Sequence, residues 1–251
     1  MLASLLLLSV LLSFTGAFPA SASNSAAESR LANSNFGVML YYDDTYEENF
    51  SNATSQVASE FAYAAQAFER KWDIIMDAAT PQNLLISEIN ACTRSNTQYC
   101  SDSICGSPCS NHINGTTHHR NIGRVLRRTS SVYSMNGRHF MFILVGVPGC
   151  FVTDETGVHN NALGLAYLNG HGAVGSSLTY YTADTTASVV RIRIIQHEMS
   201  HWFGVNDRDQ VTDPCTGPCI MSGGFDTNTS LNAYNLWCSK CASDFDPDTH
   251  Y

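Results

Sequence analysis

Residues 197–207 read HEMSHWFGVND, and the helix that this stretch completes decides what the rest of the chain must build. Apolar residues and histidines recur along that helix at intervals of four, three and four residues: Val190, Ile194, His197 and His201. This period places both imidazoles on one inward face, a turn apart, where two nitrogens can reach the same metal ion. Glu198 is displaced by about 100° around the helix and can face a water molecule on that ion.

The chain beyond the second histidine adds a helix stop and a carboxylate. Gly204 follows His201 by three residues, at a point where helices commonly end on a residue with a left-handed backbone. Asp207 follows three residues later and places a carboxylate on the chain just as it reverses.

Further along, residues 219–222 read CIMS and contain Met221. With the preceding string, this segment resembles the extended zinc motif and the methionine turn of the metzincin clan of zinc metallopeptidases. The resemblance implies one catalytic zinc ion with three protein ligands: His197, His201 and Asp207. It also implies that Glu198 is the general base for a zinc-bound water and that Met221 forms the floor of the site. Most of the clan has histidine at the third position, so Asp207 matches a minority of its members. Asp209 and Asp213 are near enough in sequence to be alternatives, but within this motif the spacing from Gly204 favours Asp207.

The activity that this resemblance implies is zinc-dependent hydrolysis of peptide bonds in extended protein or peptide substrates by a secreted metalloendopeptidase. The alternative is a noncatalytic exported binding or effector module on the same scaffold. The intact Glu198 argues against that alternative, because a structural zinc needs no carboxylate beside an open position. The clan also pairs substrate with an edge strand, for which Gly164, Leu165 and Ala166 are the candidates here.

The order of elements and the resemblance imply an α+β fold of metzincin type. Its expected parts are a mixed, mostly parallel twisted sheet with an antiparallel edge strand, an active-site helix and a C-terminal helix. The patterns predict strands over 35–42, 82–89, 139–147, 162–168 and 176–183. They predict helices over 57–76, 122–132, 185–203 and 231–245.

Eight of the 9 cysteines form two groups of four in the sequence. The groups are Cys92, Cys100, Cys105 and Cys109, and then Cys215, Cys219, Cys238 and Cys241. Two disulfides in each group are the simplest interpretation for an exported protein. The second group also resembles the four-cysteine structural zinc site of the archaemetzincin branch, which would add a second zinc. That branch differs in having a third histidine and another spacing for its first cysteine. Cys150 is expected to be a buried free thiol or an irregular partner.

Charge and the amino terminus bear on partners and compartment. The 251 residues carry a formal net charge of −9, which disfavours nucleic acid as a partner. An apolar run at 5–12 followed by small residues predicts a signal peptide over 1–22, which leaves a single secreted domain over 23–251. We expect this domain to be a monomer. No later stretch approaches transmembrane length, so no stable membrane span is expected.

Overall fold

The structure, a computed structural model, describes residues 34–84, 120–146, 149–153, 157–162, 164–168, 170–176, 185–208, 212–215, 219–222 and 237–250. Its strands are β1 Ser34–Tyr42, β2 Ile74–Ala78, β3 Gln82–Asn83, β4 Arg120–Asn121, β5 Phe140–Val145, β6 Gly149–Thr153, β7 Gly157–Ala162, β8 Gly164–Ala166 and β9 Gly172–Ser176. Its helices are α1 Asp44–Asn49, α2 Ala53–Trp72, α3 Ile122–Val132, α4 Thr185–Trp202 and α5 Ser239–Asp244, with a 3-10 turn at Pro247–His250. The predicted signal peptide and the first cysteine group lie outside the described residues.

The main sheet has six strands, in the order β2-β1-β5-β9-β8, with β3 pairing with β1 as well. Strands β2, β3 and β5 run parallel to β1, and β9 runs parallel to β5. Strand β8 pairs antiparallel with β9. The mixed, mostly parallel sheet with an antiparallel edge strand is therefore confirmed. A smaller sheet joins β4, β6 and β7.

Two apolar cores enclose the main sheet, one on each face. In β1, Val38 and Leu40 pack into the core shared with α2 and α4, whereas Met39 and Tyr41 pack into the core shared with α3. Strand β5 reads FMFILV without interruption because its alternate side chains fill both cores. The result is a three-layer domain in which α4 lies beside β9 and β8. Among the described residues, none of the helices has the length and apolar character required to cross a bilayer.

The apolar stripe predicted as one helix over 57–76 is in fact a helix and a strand. Helix α2 ends at Trp72 because Asp73 takes a left-handed backbone, with φ 57°. The next residues form β2, which pairs with β1, so Ile75 and Met76 keep a helical spacing without being helical. Ile75 is 42% exposed, as expected for the outward position of an edge strand.

The strand prediction also needs correction around β8 and β9. The strand predicted over 162–168 is broken, because β7 ends and β8 begins within it. Strand β9 lies in a glycine-rich segment that the sequence suggested was a joint, and of the strand predicted over 176–183 only Ser176, the last residue of β9, lies within the described residues. Small residues are needed there because a Cβ at Gly172 would come within 2.8 Å of Leu126, and one at Gly175 within 3.1 Å of Ile194.

The C-terminal helix is shorter than predicted. Within the described part of 231–245 it begins only at Ser239, because Cys238 is the N-cap and has an extended backbone. Strand 82–89 is confirmed at Gln82 and Asn83, and residues 85–89 lie outside the described part of the chain. The helices over 122–132 and 185–203 are confirmed, with the second ending at Trp202.

Candidate metal centre

Helix α4 brings His197 and His201 to the same side, as the spacing predicted. Their ring centroids lie 5.0 Å apart and their planes meet at 86°. Each Nδ1 approaches a main-chain carbonyl: Ile220 O at 2.8 Å from His197 and Val205 O at 2.7 Å from His201. A carbonyl only accepts hydrogen bonds, so each Nδ1 carries a proton and Nε2 is the ring nitrogen of each histidine that a metal ion could bind.

A helix stop returns the chain to these two imidazoles. The Gly204 N–H donates to His201 O at 3.1 Å and the Val205 N–H donates to Ser200 O at 3.2 Å, which is the Schellman pairing. Gly204 itself has φ 82°, a left-handed conformation that suits glycine. The reversal carries Asp207 back over the ends of the two rings.

The carboxylate of Asp207 completes a set of three donors. Its Oδ1 lies 3.0 Å from His197 Nε2 and 3.7 Å from His201 Nε2. Two ligand atoms of a tetrahedral zinc with bonds of about 2.0–2.1 Å are roughly 3.3 Å apart, so this donor set fits zinc. We call these three residues the histidine site. Asp213 is excluded as its third member because its carboxylate pairs with Arg208 and Lys240, while Asp209 lies outside the described residues.

Glu198 lies beside the histidine site with its carboxylate against strand β8. It is only 4% exposed, and a Cβ added at Gly164 would collide with its carboxylate. Glycine at position 164 is therefore what allows β8 and α4 to approach so closely. A cleft of about 390 Å³ opens here, and β8, Leu168 and Asn206 line it together with Glu198 and the histidine site.

Burial and charge set the protonation of this site. Burial raises the pKa of Glu198 to about 8, against the lowering effect of His197. Burial also lowers the pKa of His201 to about 4, and the neighbouring His197 lowers it further. Burial would lower the pKa of His197 too, but its hydrogen bond to Asp207 and the charges of Glu198 and Asp207 raise it to about 9. The metal-free site therefore holds a proton between His197 and Asp207.

The predicted methionine turn lies behind the histidine site. The Ser222 N–H donates to Cys219 O at 3.1 Å, which closes the turn, and Met221 is fully buried. The carbonyl of Ile220 in this turn is the acceptor for His197. The turn also pairs with the ligand loop, since the Arg208 N–H donates to Met221 O at 2.8 Å.

A second donor cluster includes the first residue of that turn, and we call it the cysteine cluster. It consists of Cys215, Cys219, Cys238 and Cys241, whose sulfurs all lie within 4.8 Å of one another. Cys241 Sγ lies 3.4 Å from Cys219 Sγ, 3.6 Å from Cys238 Sγ and 3.9 Å from Cys215 Sγ. A tetrahedral zinc with Zn–S bonds of about 2.3 Å separates its sulfurs by roughly 3.8 Å, whereas a disulfide needs about 2.05 Å.

The disulfides expected for this group are not confirmed, because all four thiols are unbonded. A hydrogen bond from Cys241 lowers the pKa of Cys219 to about 5, against the effect of burial. Burial and the neighbouring thiols raise the pKa of Cys215 to about 12. Cys219 is therefore a thiolate at neutral pH, whereas Cys215 keeps a proton that a bound cation would displace. Of Cys150 only the backbone is described, as part of β6.

Several groups at this centre were not predicted from the sequence. The carbonyls of Ile220 and Val205 leave no trace in a pattern of side chains, because every residue has one. Arg208 was missed because a single arginine after a candidate ligand carries no local signal of burial. The contact between Gly164 and Glu198 was missed as well, although a glycine at the start of a predicted edge strand was a usable hint.

A family model described as Reprolysin_5, Metallo-peptidase family M12, matches residues 32–234. No curated protein sequence matches the chain significantly. Among solved structures, archaemetzincin from Methanopyrus kandleri is similar at a TM-score of 0.49 and 13% identity, covering 83% of this chain and 92% of that one. Archaemetzincin from Archaeoglobus fulgidus, complexed with malonate, is similar at a TM-score of 0.45 and 13% identity, covering 83% and 99%.

Proposed function

Because this chain belongs to metallopeptidase family M12, as its resemblance to the metzincin clan predicted, we propose that it is a secreted zinc endopeptidase. One observation carries the proposal. Two imidazole Nε2 atoms and a carboxylate oxygen converge at the separations of zinc ligands, beside a buried glutamate and at the wall of a cleft. Three protein ligands leave a fourth position for water or substrate, which is the arrangement of a catalytic zinc and not of a closed structural one.

The residues of the histidine site would hold the ion, and Glu198 would handle protons. Zinc bound there would polarise the scissile carbonyl and make the attacking water more acidic. Glu198 takes the proton of that water and later delivers it to the leaving amine nitrogen. Burial favours this role, because a carboxyl with a raised pKa can both accept and return a proton near neutral pH.

Strand β8 is the proposed docking edge for the substrate. It lies at the end of the sheet order and lines the same cleft as Glu198. An extended peptide that added to this edge would place its backbone beside Gly164, Leu165 and Ala166, close to the general base. Leu168 at the cleft wall is 46% exposed and would contact an apolar side chain of the peptide.

We further propose that the cysteine cluster binds a second, structural zinc. The support is the separation of the sulfurs, which matches zinc thiolate geometry and exceeds that of a disulfide. Burial of Cys219, Cys238 and Cys241 leaves little room for a substrate or water ligand. A closed four-sulfur site of this kind would stiffen the methionine turn, since Cys219 is the first residue of that turn.

Export is part of the proposal and rests on the apolar run at 5–12. Expression with the native amino terminus in a secreting host, followed by N-terminal sequencing of the protein in the medium, tests it. A mature chain beginning near residue 23 would support export. Protein that stays inside the cell with residue 1 intact would contradict it.

The experiment that tests the enzyme is digestion of an unbiased peptide library by the zinc-loaded protein, with Glu198→Gln as the inactive variant. Glutamine keeps the shape of the side chain but cannot accept the proton, so we expect cleavage to fall by about 10²–10⁴-fold with zinc content unchanged. Glu69→Gln is the matched control, because Glu69 is exposed on α2 away from the cleft. Bound zinc without cleavage in the native protein would favour the alternative, a noncatalytic binding module.

A further inference from the structure

The three members of the histidine site are supported unequally. Each imidazole is mostly buried, at 15% and 12% exposure, and each is oriented by a hydrogen bond to a carbonyl. The side chain of Asp207 is 70% exposed, and its contacts within the described residues are with the two imidazoles it would share an ion with. An exposed carboxylate on a loop has several rotamers, so something else must hold its backbone in place.

The next residue supplies that support. The Arg208 N–H donates to Met221 O at 2.8 Å, and Arg208 forms a parallel bridge with Ser222. Its guanidinium pairs with Asp213 through Nη1 and with Asp244 through Nη2. The peptide that carries Asp207 is therefore fixed by its main chain on one side and by a charged side chain on the other.

This arginine is unusual in being only 8% exposed. Burying a guanidinium is costly unless opposite charges compensate it, and here two carboxylates do so. Lysine could not replace it equivalently, because the planar fork of arginine addresses Asp213 and Asp244 in two directions at once. Lys240 pairs with Asp213 as well, so the two cations and two carboxylates form a neutral set.

The two carboxylates that pair with Arg208 lie near members of the cysteine cluster in sequence. Asp244 ends α5, the helix that carries Cys241, and Asp213 stands two residues before Cys215. A hydrogen bond with Cys219 and burial raise the pKa of the Cys241 thiol, and a hydrogen bond from Arg208 opposes them. Arg208 thus links the ligand loop to the helix that carries Cys241.

We infer that Arg208 is a positioning residue of the histidine site: its buried guanidinium, held between Asp213 and Asp244, fixes the backbone of Asp207 and so sets where that carboxylate lies. The inference rests on the proposed role of Asp207 as a zinc ligand. It makes the affinity of the histidine site depend on a residue that does not touch the ion, and it makes the cysteine side of the domain the anchor for the third ligand.

A double-mutant cycle on metal affinity tests this inference without any use of activity. Co²⁺ is titrated against a competing chelator into the native protein, Arg208→Met, Asp207→Ala and the double variant. Intense thiolate-to-cobalt absorption separates binding at the cysteine cluster from binding at the histidine site. We expect Arg208→Met to weaken the histidine site by about 10–100-fold, the usual effect of losing support behind a ligand.

The double variant decides whether that effect passes through Asp207. If it does, adding Arg208→Met to Asp207→Ala should weaken the histidine site by less than about twofold more. If the effects of Arg208→Met and Asp207→Ala on metal affinity instead multiply in the double variant, the inference is overturned, because Arg208 would then act on the domain as a whole. If Asp207→Ala alone leaves affinity unchanged, the proposed ligand set fails instead, so the two failures are distinguishable.

Further variants guard against a protein that does not fold. Asp244→Asn keeps the shape of the side chain while weakening one ion pair of Arg208, and it should lower affinity in the same direction as Arg208→Met. Arg208→Lys should restore affinity only in part, because it can address one carboxylate at a time. Arg191→Met is the matched control, since Arg191 is also a buried arginine paired with a carboxylate, Glu60, at 2.6 Å, and in the described part of the chain its contacts are with Glu60 and Phe50, away from the ligand loop. Equal loss of affinity in Arg191→Met would contradict the inference.

Discussion

The histidine site and the cysteine cluster are both connected to one short turn, and they differ in exposure and in donor type. The histidine site combines two buried imidazoles with an Asp207 side chain that is 70% exposed, and it opens on a cleft. The cysteine cluster combines four sulfurs of which three are buried. An open set of nitrogen and oxygen donors leaves a position for chemistry, whereas a closed set of sulfurs leaves none. One turn thus connects a centre suited to catalysis with one suited to holding the fold.

The largest expected effect is the loss of stability when ligands of the cysteine cluster are removed. Replacing Cys219 and Cys241 by serine should lower the free energy of unfolding by more than about 4 kcal/mol, because a structural metal contributes directly to folding. Chemical denaturation of the zinc-loaded proteins measures it. His197→Asn should instead remove metal from the histidine site with a much smaller loss of stability.

Ser243→Ala is an exposed change on the helix that carries Cys241, and as a control it should leave both zinc content and stability near their native values. If the serine variants at Cys219 and Cys241 were as stable as the native protein, the distinction between a structural and a catalytic centre would fail. The same result would also remove the support for a second zinc.

A smaller effect is expected from Gly164→Ala, which acts on the open site alone. The added methyl group would collide with the Glu198 carboxylate and push it from its position against β8. A displacement of about 1 Å of a reacting group can cost about 10²-fold in rate, so we expect kcat/KM to fall by that order. Zinc content and thermal stability, measured in parallel, should stay close to native. Unchanged kcat/KM would show that the contact between β8 and Glu198 is unimportant for catalysis.

The two centres should also differ in how metal binding depends on pH. In the metal-free protein His197 has a pKa of about 9, so below pH 9 it holds a proton that must leave when the ion binds. The affinity of the histidine site should therefore fall about tenfold for each unit of pH below that value. The metal affinity of the cysteine cluster should fall more steeply, by about 100-fold or more for each unit of pH, because both Cys215 and Cys241 have raised pKa values.

Chelator-competition titrations between pH 6 and pH 8 would measure both slopes. Asp207→Asn sharpens the comparison, because it removes the carboxylate that raises the pKa of His197 and should flatten the slope of the histidine site. The slope of the cysteine cluster should not change. Equal slopes for the two centres in the native protein would be evidence against these protonation states.

Much of the histidine site could be predicted from the sequence, because its determinants are local. The positions of His197, Glu198 and His201 on one helix follow from helical period, and the helix stop at Gly204 follows from backbone preference. The approach of Asp207 to both imidazoles agrees with the spacing that favoured it over Asp213. The groups that hold the ligands in place could not be predicted from local sequence, because the carbonyls of the turn and the ion pairs of Arg208 reach the site only in the folded chain.

The errors in the fold have a similar cause. Ile75 and Met76 continue an apolar helical spacing, yet the left-handed backbone of Asp73 ends the helix before them. An aspartate at one position does not predict that conformation. Residues 172–175 of β9 were not predicted as a strand because their glycines suggest a joint, whereas close packing against α3 and α4 requires them. The four sulfurs could be grouped by sequence, but only their separation in space favours a metal over disulfides.

Zinc-edge anomalous diffraction from crystals of the protein would locate both proposed ions. We expect two peaks, one bound by His197, His201 and Asp207 at about 2.0–2.2 Å with a water as the fourth ligand, and one at about 2.3 Å from four cysteine sulfurs. A peak at the imidazoles without the carboxylate of Asp207, or no peak there at all, would contradict the catalytic assignment. Disulfide-bonded sulfurs with no peak between them would contradict the structural one.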